Sequence, residues 1–397
     1  MSIKSKYPAL RPSLLLDFVN SRSVDPRITV TRSSAAARRN EKGQIETIAA
    51  NIPRIDFDPV TGACKGLLVE EQRTNLLTYS DQIENSAWAK GSNAIFATEG
   101  TSPINGVSPY YSMRSNGTAG NLYVSRSFTA PTSGDYVLTS WLMTDNETLV
   151  ASAMRLMSIN LGADSTRHIT FAGAGLTVGQ WKLVAFKFSL TAGDSVTFFF
   201  GFDFGINTNA KLYFCHPQVE AGSSPTSYIP TAGAAVTRAA EVPLMTGTNF
   251  SSWYRQDEGA FVVFARRDSL SAGRLITLSD GTANNQIRIS IVVSATSLRA
   301  DLEVVTGGVS QVSTITTPVF SVGSVVAIAF AYKANDFAIS VNGSTAVTGA
   351  SGAVPPVDRT HIGTDHAGAS SHNGTAARIA YYPKRPSNAE LQALTTL

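Results

Sequence analysis

The 397-residue sequence predicts an all-β chain, an extended N-terminal arm followed by two antiparallel β-sandwiches. The chain is too long for one ordinary hydrophobic core. Its 31 glycines, abundant Ser, Thr and Ala and scarce helical periodicity suit short strands joined by turns. From Leu122 onward, apolar runs of strand length alternate with turn residues. Charged residues make up only 15%, so hydroxyls, amides and backbone must supply much of the surface. Such a surface suits carbohydrate or a protein neighbour better than nucleic acid. Net charge is +3, unevenly spread: residues 1–60 hold ten Lys or Arg against six Asp or Glu. A basic arm on a near-neutral body points to docking on an acidic protein surface. The two cysteines, Cys64 and Cys215, form no disulfide framework and fit folding in a reducing cytoplasm. The first twenty residues lack the apolar run of a signal peptide. No segment reaches the roughly 18 apolar residues of a membrane span, so a soluble protein without membrane insertion is expected.

The arm, residues 1–74, offers isolated strand-like pieces at Ser13–Val19 and Ile28–Thr31. They cannot enclose a core, so they are expected to lie extended on the body or on another subunit. Uncovered strands of this kind favour a homo-oligomer. From Arg54 to Ser80 the pattern sharpens. Asp58-Pro59 and Thr61-Gly62 are turn chemistry, Gly66–Val69 is a buried strand, and Glu70–Arg73 reads as a polar edge.

The first sandwich spans residues 75–238. Asp81–Trp88 is expected to form a helical turn, capped by Asp81 with Glu84 three residues on. Strands follow at Leu122–Phe128, Asp135–Met143, Trp181–Leu190, Ser195–Phe204 and Lys211–Cys215. The third has Val184, Phe186, Phe188 and Leu190 on one face. The fourth is apolar on both faces and reads as central and doubly buried. This spacing argues for a jelly roll. Trp88, Trp141 and Trp181 read as core or sheet-face residues. After an Ala/Gly-rich linker, residues 239–397 hold eight further strands. Asn342-Gly343 is a type I′ hairpin signal, and Ser387–Glu390 a capping box.

Two segments resemble ones that recur in tailed-bacteriophage virion proteins, the head-spike, head-fibre and tail-fibre proteins. In the first the matching residues are Pro53, Arg54, Asp56, Asp58-Pro59, Gly62, Gly66–Glu71, Arg73, Asn75 and Leu76-Leu77. The second resembles the close of a carbohydrate-binding-module-like jelly roll in such proteins. It matches at Gln218, Glu220, Gly222, Pro225, Thr226, Tyr228, Ile229, Pro230, Thr231, Thr237 and Arg238. The EGAFVVFAR strand, the VAIAFAYKANDFAISVNG hairpin and the RIAYYPKRPSNAELQALT ending resemble concanavalin-A-like, laminin-G-type sandwiches. The resemblance implies a spike or fibre on the virion surface, assembled in the host cytoplasm, with a homotrimer favoured. Its arm would attach to other virion proteins of capsid, tail or baseplate, with Arg27, Arg32, Arg38, Arg39 and Arg54 as candidate attachment residues.

Catalysis needs convergent groups. Glycosidases of the concanavalin-A-like kind carry carboxylates two to four residues apart on one strand face, and no such spacing is read here. Glu70-Glu71 and Asp257-Glu258 are adjacent, which sends their side chains to opposite faces, and they read as solvated edges or turns. No His falls in a metalloprotease or nucleophile-elbow motif. A Ser–His–Asp triad could only be assembled in space, and nothing in the sequence recommends one. No catalytic residue is therefore assigned. Binding suits the polar loops of the last domain better. Candidate ligands of a host-surface polysaccharide are Asp280, Asn284 and Asn285 in one loop, and Asp365, His366, His372 and Asn373 in another. Trp253 and Tyr254 are either a stacking platform or packing. Asp280 and Asn285 also have the hard oxygens of a calcium site, the one cofactor expectation. The leading reading is a non-catalytic glycan-binding virion protein. A polysaccharide-cleaving tailspike and a purely structural decoration or adaptor are the alternatives.

Overall fold

The computed structural model describes residues 11–118, 120, 122–161, 167–201, 210–315 and 319–397. Its regular structure is nearly all antiparallel strand, as the sequence predicts. The chain forms two compact units. One comprises residues 1–43, 47–72 and 239–397, and the other residues 44–46 and 73–238. Among the described residues, no helix is long and apolar enough to cross a membrane.

The first unit corrects the expectation of a separate arm. Leu14–Asp17 pairs with one half of the strand Gly374–Tyr382, and Cys64–Val69 pairs with the other half. Arg54–Phe57 extends the same eight-stranded sheet, and Thr29–Thr31 edges a seven-stranded sheet beside Val242–Thr246. The N-terminal strands therefore finish the two sheets of the last sandwich. Their apolar residues Leu14, Leu16, Ile28, Val30, Ile55 and Leu67 join one hydrophobic core with Phe261, Ile289, Leu302 and Phe330. Strands satisfied within their own chain remove the uncovered edges from which a homo-oligomer was expected. Gly66 sits at a bulge with φ +106°, and a Cβ there would lie 2.1 Å from the Ala376 carbonyl oxygen, which explains a glycine inside a buried strand.

Two of the five attachment candidates are internal, and the other three are half-buried. Arg32 and Arg54 are buried, and both meet the Glu241 carboxylate, at 2.9 and 2.6 Å. Arg54 also lies 2.7 Å from Glu70. Burial alone would lower the Arg54 pKa, but Glu241 and Glu70 outweigh it and hold it above its ordinary value. Arg32 further caps the carbonyls of Ser34, Ile52 and Ala49. Arg38 donates to Ile55 O and Arg39 to Gly43 O, while Arg27 forks onto Asp25. Glu70 is thus part of a buried ion-pair box rather than a solvated edge. Alternation could not show this, because the second carboxylate of the box, Glu241, which accepts from Glu70 N–H, lies 171 residues away.

Strands are present at Glu258–Arg267, Gly273–Ser279, Gln286–Ser294, Ser297–Thr306, Val309–Ile315, Val325–Lys333, Phe337–Val341 and Gly374–Tyr382, where the eight were expected; residue 316, expected to end the one from Val309, lies outside the described residues. Asn342 and Gly343 both take positive φ, 49° and 75°, at the predicted hairpin. Ser387 and Glu390 form the reciprocal capping box of the helix Asn388–Leu394, which buries Leu391 and Leu394.

The second unit pairs two five-stranded sheets. One runs Lys182–Leu190, Gly134–Thr144, Leu212–Ala221, Pro109–Ser115, Ala94–Thr101. The other runs His168–Thr170, Arg155–Leu161, Ser195–Phe200, Val124–Thr129, Ala89–Lys90. Between them lie Tyr111, Met113, Leu138, Phe198, Phe200, Phe214 and their neighbours. Ser195–Phe200 is central as expected, but only one face is fully buried; Phe199 on the other packs edge-on to Tyr123. Residues 202–204 of that predicted strand lie outside the described residues.

Asp81–Trp88 is a chain of turns, not a helix, because Asp81 is used elsewhere. Its Oδ1 lies 2.7 Å from His216 Nδ1 and accepts the Tyr228 hydroxyl at 2.7 Å. His216 itself is buried with φ 52°, at a bulge where Leu212–Ala221 slips register against Gly134–Thr144. On its other side Nε2 is 3.4 Å from Ser102 Oγ, which is 3.4 Å from Cys215 Sγ.

Asn75 stitches the same region. Its amide donates to Ile229 O, and its oxygen accepts from Leu77 and Val219 N–H. Gln218 accepts from Ile229 N–H, Glu220 from Thr226, and Arg238 donates to Ser227. Asn75, Gln218, Glu220, Thr226, Ile229 and Arg238 are thus internal stitching of this unit.

The His216–Asp81 pair makes stability pH-dependent. Burial would lower the His216 pKa, but Cys215 and the Asp81 carboxylate outweigh it and carry it to about 9. Burial works to raise Asp81, and His216 and Tyr228 outweigh that and hold it below the usual carboxylate range. The His216 contribution is full below the ordinary imidazole value of about 6.5 and is lost as pH rises through about 9. The Asp81 contribution is lost only as pH falls below about 3.8. Thermal midpoints of the second unit should therefore decline on the alkaline side, and His216→Gln should flatten that limb. An unchanged slope in the variant would remove the pair as its cause.

Candidate functional site

Strand alternation in the second unit leaves one outer sheet face rich in aromatic rings. In Pro109–Ser115, Tyr111 and Met113 enter the core, so Tyr110 and Ser112 face outward. In Leu212–Ala221, Leu212 and Phe214 are inside and Tyr213 and Cys215 outside. Register places Tyr213 opposite Ser112, and Trp141 opposite both Cys215 and Leu183. Trp181, just before its strand, meets Tyr110 edge to face at 5.7 Å, and Tyr110 tilts against Tyr213 at 6.2 Å. Ile104, Trp141 and Cys215 form the buried floor of this cluster.

Charged groups rim it. Lys211 Nζ stands 5.5 Å from the Tyr213 ring centroid and 3.0 Å from Glu99. Glu99 also accepts the Ser112 hydroxyl at 2.5 Å, and Ser112 with Lys211 holds its carboxyl below the usual range. Tyr213 donates to Asp145 at 3.1 Å. Half-buried rings beside a fixed lysine and two carboxylates provide what a pyranose needs: an apolar platform for its C–H face and directed partners for its hydroxyls. These residues escaped notice in the sequence. The signal lay in PYYS and KLYFC, where one ring of each pair must face out once its neighbour is in the core.

The loop residues nominated from the sequence turn mostly onto their own backbone. Asp280 accepts from Thr282 N–H and hydroxyl and from the Asn285 amide, while Asn285 accepts from Gly307 N–H. Asn284 donates its N–H to Thr282 and its carbonyl accepts from Gly308. Arg359 stands beside this turn, its guanidinium carbon 3.0 Å from where a Gly281 Cβ would be. With the carboxylate saturated and a guanidinium alongside, the calcium expectation is not supported. Among the described residues no group of three His, Cys, Asp or Glu could hold a metal. Asp365 is consumed by Ala367 and Ala369 N–H and the Ser370 hydroxyl. His372 is buried against Arg266 O, its imidazole driven down to about 3 by burial and Arg267. Asn373 accepts from Glu71 N–H. Trp253 is buried and donates to Asn249 O, and Tyr254 stacks on Phe250, so both are packing. Only His366 of this set stays half-buried without a hydrogen bond at Nδ1.

One sequence conclusion needs correction. Asp301 and Glu303 flank the buried Leu302 on Ser297–Thr306, and so do stand two residues apart on one outer face. Glu303 is held by Arg288, while burial raises the Asp301 carboxyl above its ordinary value.

No protein-family model matches the chain, and no curated protein does. Among solved structures, the CBM40 of the Ruminococcus gnavus IT-sialidase, bound to alpha2,3 sialyllactose, is 16% identical, covering 38% of this chain and 88% of its own, with TM-score 0.32. A family 35 carbohydrate binding module from Clostridium thermocellum is 20% identical over 37% of this chain and 99% of its own, at TM-score 0.23. The Trypanosoma rangeli sialidase in complex with sialic acid is 10% identical over 72% and 60%, at TM-score 0.28. Likenesses this distant transfer neither ligand nor activity, and the virion resemblance rests on the sequence alone. What stands established is the architecture: an all-β chain of antiparallel sandwiches.

Proposed function

We propose that this chain is a bacteriophage virion surface protein, of a head or tail spike or fibre, that binds host cell-surface glycan without cleaving it. The aromatic face of Tyr110, Trp181 and Tyr213 with Lys211, Glu99 and Asp145 carries the glycan part of this reading. Resemblance at Arg54–Ser80 and Gln218–Arg238 supports the virion part. Other virion proteins are then its assembly partners, and the particle surface its location. Cleavage is the second reading, favoured by the Asp301 and Glu303 pair.

Purified full-length protein should be titrated against extracted bacterial surface polysaccharides, with polymer length followed in parallel. Saturable binding at constant length is the expected result. Shortening would establish the second reading, and neither binding nor shortening would overturn both.

A further inference from the structure

The edges of an open sheet carry unpaired N–H and C=O groups, and folded chains shorten, charge or cover them. Most edges of this chain are handled in one of those ways. Thr29–Thr31, Val347–Gly349 and His168–Thr170 have three residues and Ala89–Lys90 two, while Leu14–Asp17 and Arg54–Phe57 have four. Val309–Ile315 is flanked by Gly352, and its Gln311 side chain accepts from Ala353 N–H. Lys182–Leu190 carries the exposed Lys182 and Lys187, and Arg167 donates to its Ser189 O.

Ala94–Thr101 of the second unit is different. It has eight residues, pairs in its sheet with Pro109–Ser115 alone, and contains no Lys, Arg or Pro. Register runs unbroken from Ala94 to Thr98 and slips at Glu99, whose carboxylate is held by Ser112 and Lys211. The regular part is therefore uncharged, and its Ile, Phe and Thr favour strand. Ile95, paired with Arg114, and Ala97, paired with Ser112, lie on the outer face, and Ile95 is 39% exposed. Phe96 turns to the inner face, stacks on Tyr111 at 5.4 Å and remains half-buried. Lys90 stands 4.8 Å from the Phe96 ring centroid, but its ammonium is turned onto the carbonyls of Glu84 and Trp88 and does not guard the edge.

We propose that this edge pairs with the same edge of a second copy of the chain, antiparallel about a two-fold axis at Phe96. The segment is complementary to itself. The axis sets Phe96 opposite Phe96, Ile95 opposite Ala97 and Ala94 opposite Thr98, so that all but the central contact is made twice. An aromatic pair forms at the centre, apolar side chains meet on the outer face, and no like charges oppose each other. Such an axis stands perpendicular to the sheet and keeps both outer faces on one side. Tyr110 and Tyr213 of the two copies then belong to one continuous ten-stranded surface. The pairing itself does not depend on what that surface binds.

Sedimentation equilibrium of the full-length chain over a concentration series tests it. The mass should rise from that of one chain to that of two. Ile95→Lys puts a charge on the edge of each copy and, counted twice, should weaken the pairing at least about tenfold. Leu183→Lys, on the opposite edge of the same sheet and similarly exposed, should leave it unchanged. Thermal midpoints check folding. If Ile95→Lys does not fold, Thr98→Lys, at an exposed position of the same edge, should weaken the pairing in its place. A mass of one chain throughout the series, or of three, overturns the proposal. So does a folded edge variant that pairs as well as the parent, or a Leu183→Lys chain that no longer pairs.

Discussion

Glu241→Ala should lower the stability of the first unit by about 3–5 kcal/mol, the usual effect of removing one member of a buried ionic cluster. The Glu241 side chain is 1% exposed and bridges Arg32 and Arg54, whose side chains are fully buried. Its other oxygen accepts from Glu70 N–H, and its own N–H donates back to Glu70 O. Without it, two buried guanidiniums lose the carboxylate they share. The midpoint of the first unit's transition should fall by roughly 10 °C, read by calorimetry. Truncating the exposed pair Arg22–Glu41 should leave the midpoint within experimental scatter, since solvent already screens it. A Glu241→Ala midpoint as high as the parent's would show that the box contributes nothing net.

Trp181→Ala should weaken binding of host surface glycan at least about thirtyfold, the loss of a stacking anchor worth ~2 kcal/mol. Trp181 is half-buried and touches Tyr110 by its edge, so removing it strips the platform without opening the core. Trp88 provides the contrast. It is 2% exposed and its indole N–H donates to Tyr79 O, so truncation there should cost folding before it affects binding. Titration of the two variants, with midpoints measured alongside, separates the effects. Unchanged affinity in folded Trp181→Ala would remove the aromatic face as the glycan site.

Much of the fold was legible because its signals are local. Val184, Phe188 and Leu190 alternate into the core as their spacing requires. Asn342-Gly343 turns where two residues must tolerate positive φ. Ser387 and Glu390 cap each other within one helical turn. The sites were far less legible. Polar loop residues such as Asp280 and Asp365 look available in sequence, yet a short carboxylate in a tight turn is satisfied first by the nearest backbone N–H groups. Asp301 and Glu303 are the exception, legible in sequence as two carboxylates with one apolar residue between them, the spacing that aligns side chains on a strand.

By itself the sequence determined the all-β class, the strands of the last sandwich, the hairpin and the final capped helix, all of which follow from periodicity and turn chemistry over a few residues. Only the tertiary structure decided that Arg32 and Arg54 are internal. Arg32 and Arg54 look like a docking surface until Glu241, far along the chain, folds back between them. The aromatic face was decided at the same level. A sheet face is assembled from strands distant in sequence, and its chemistry exists only once register sets Tyr110 near Tyr213.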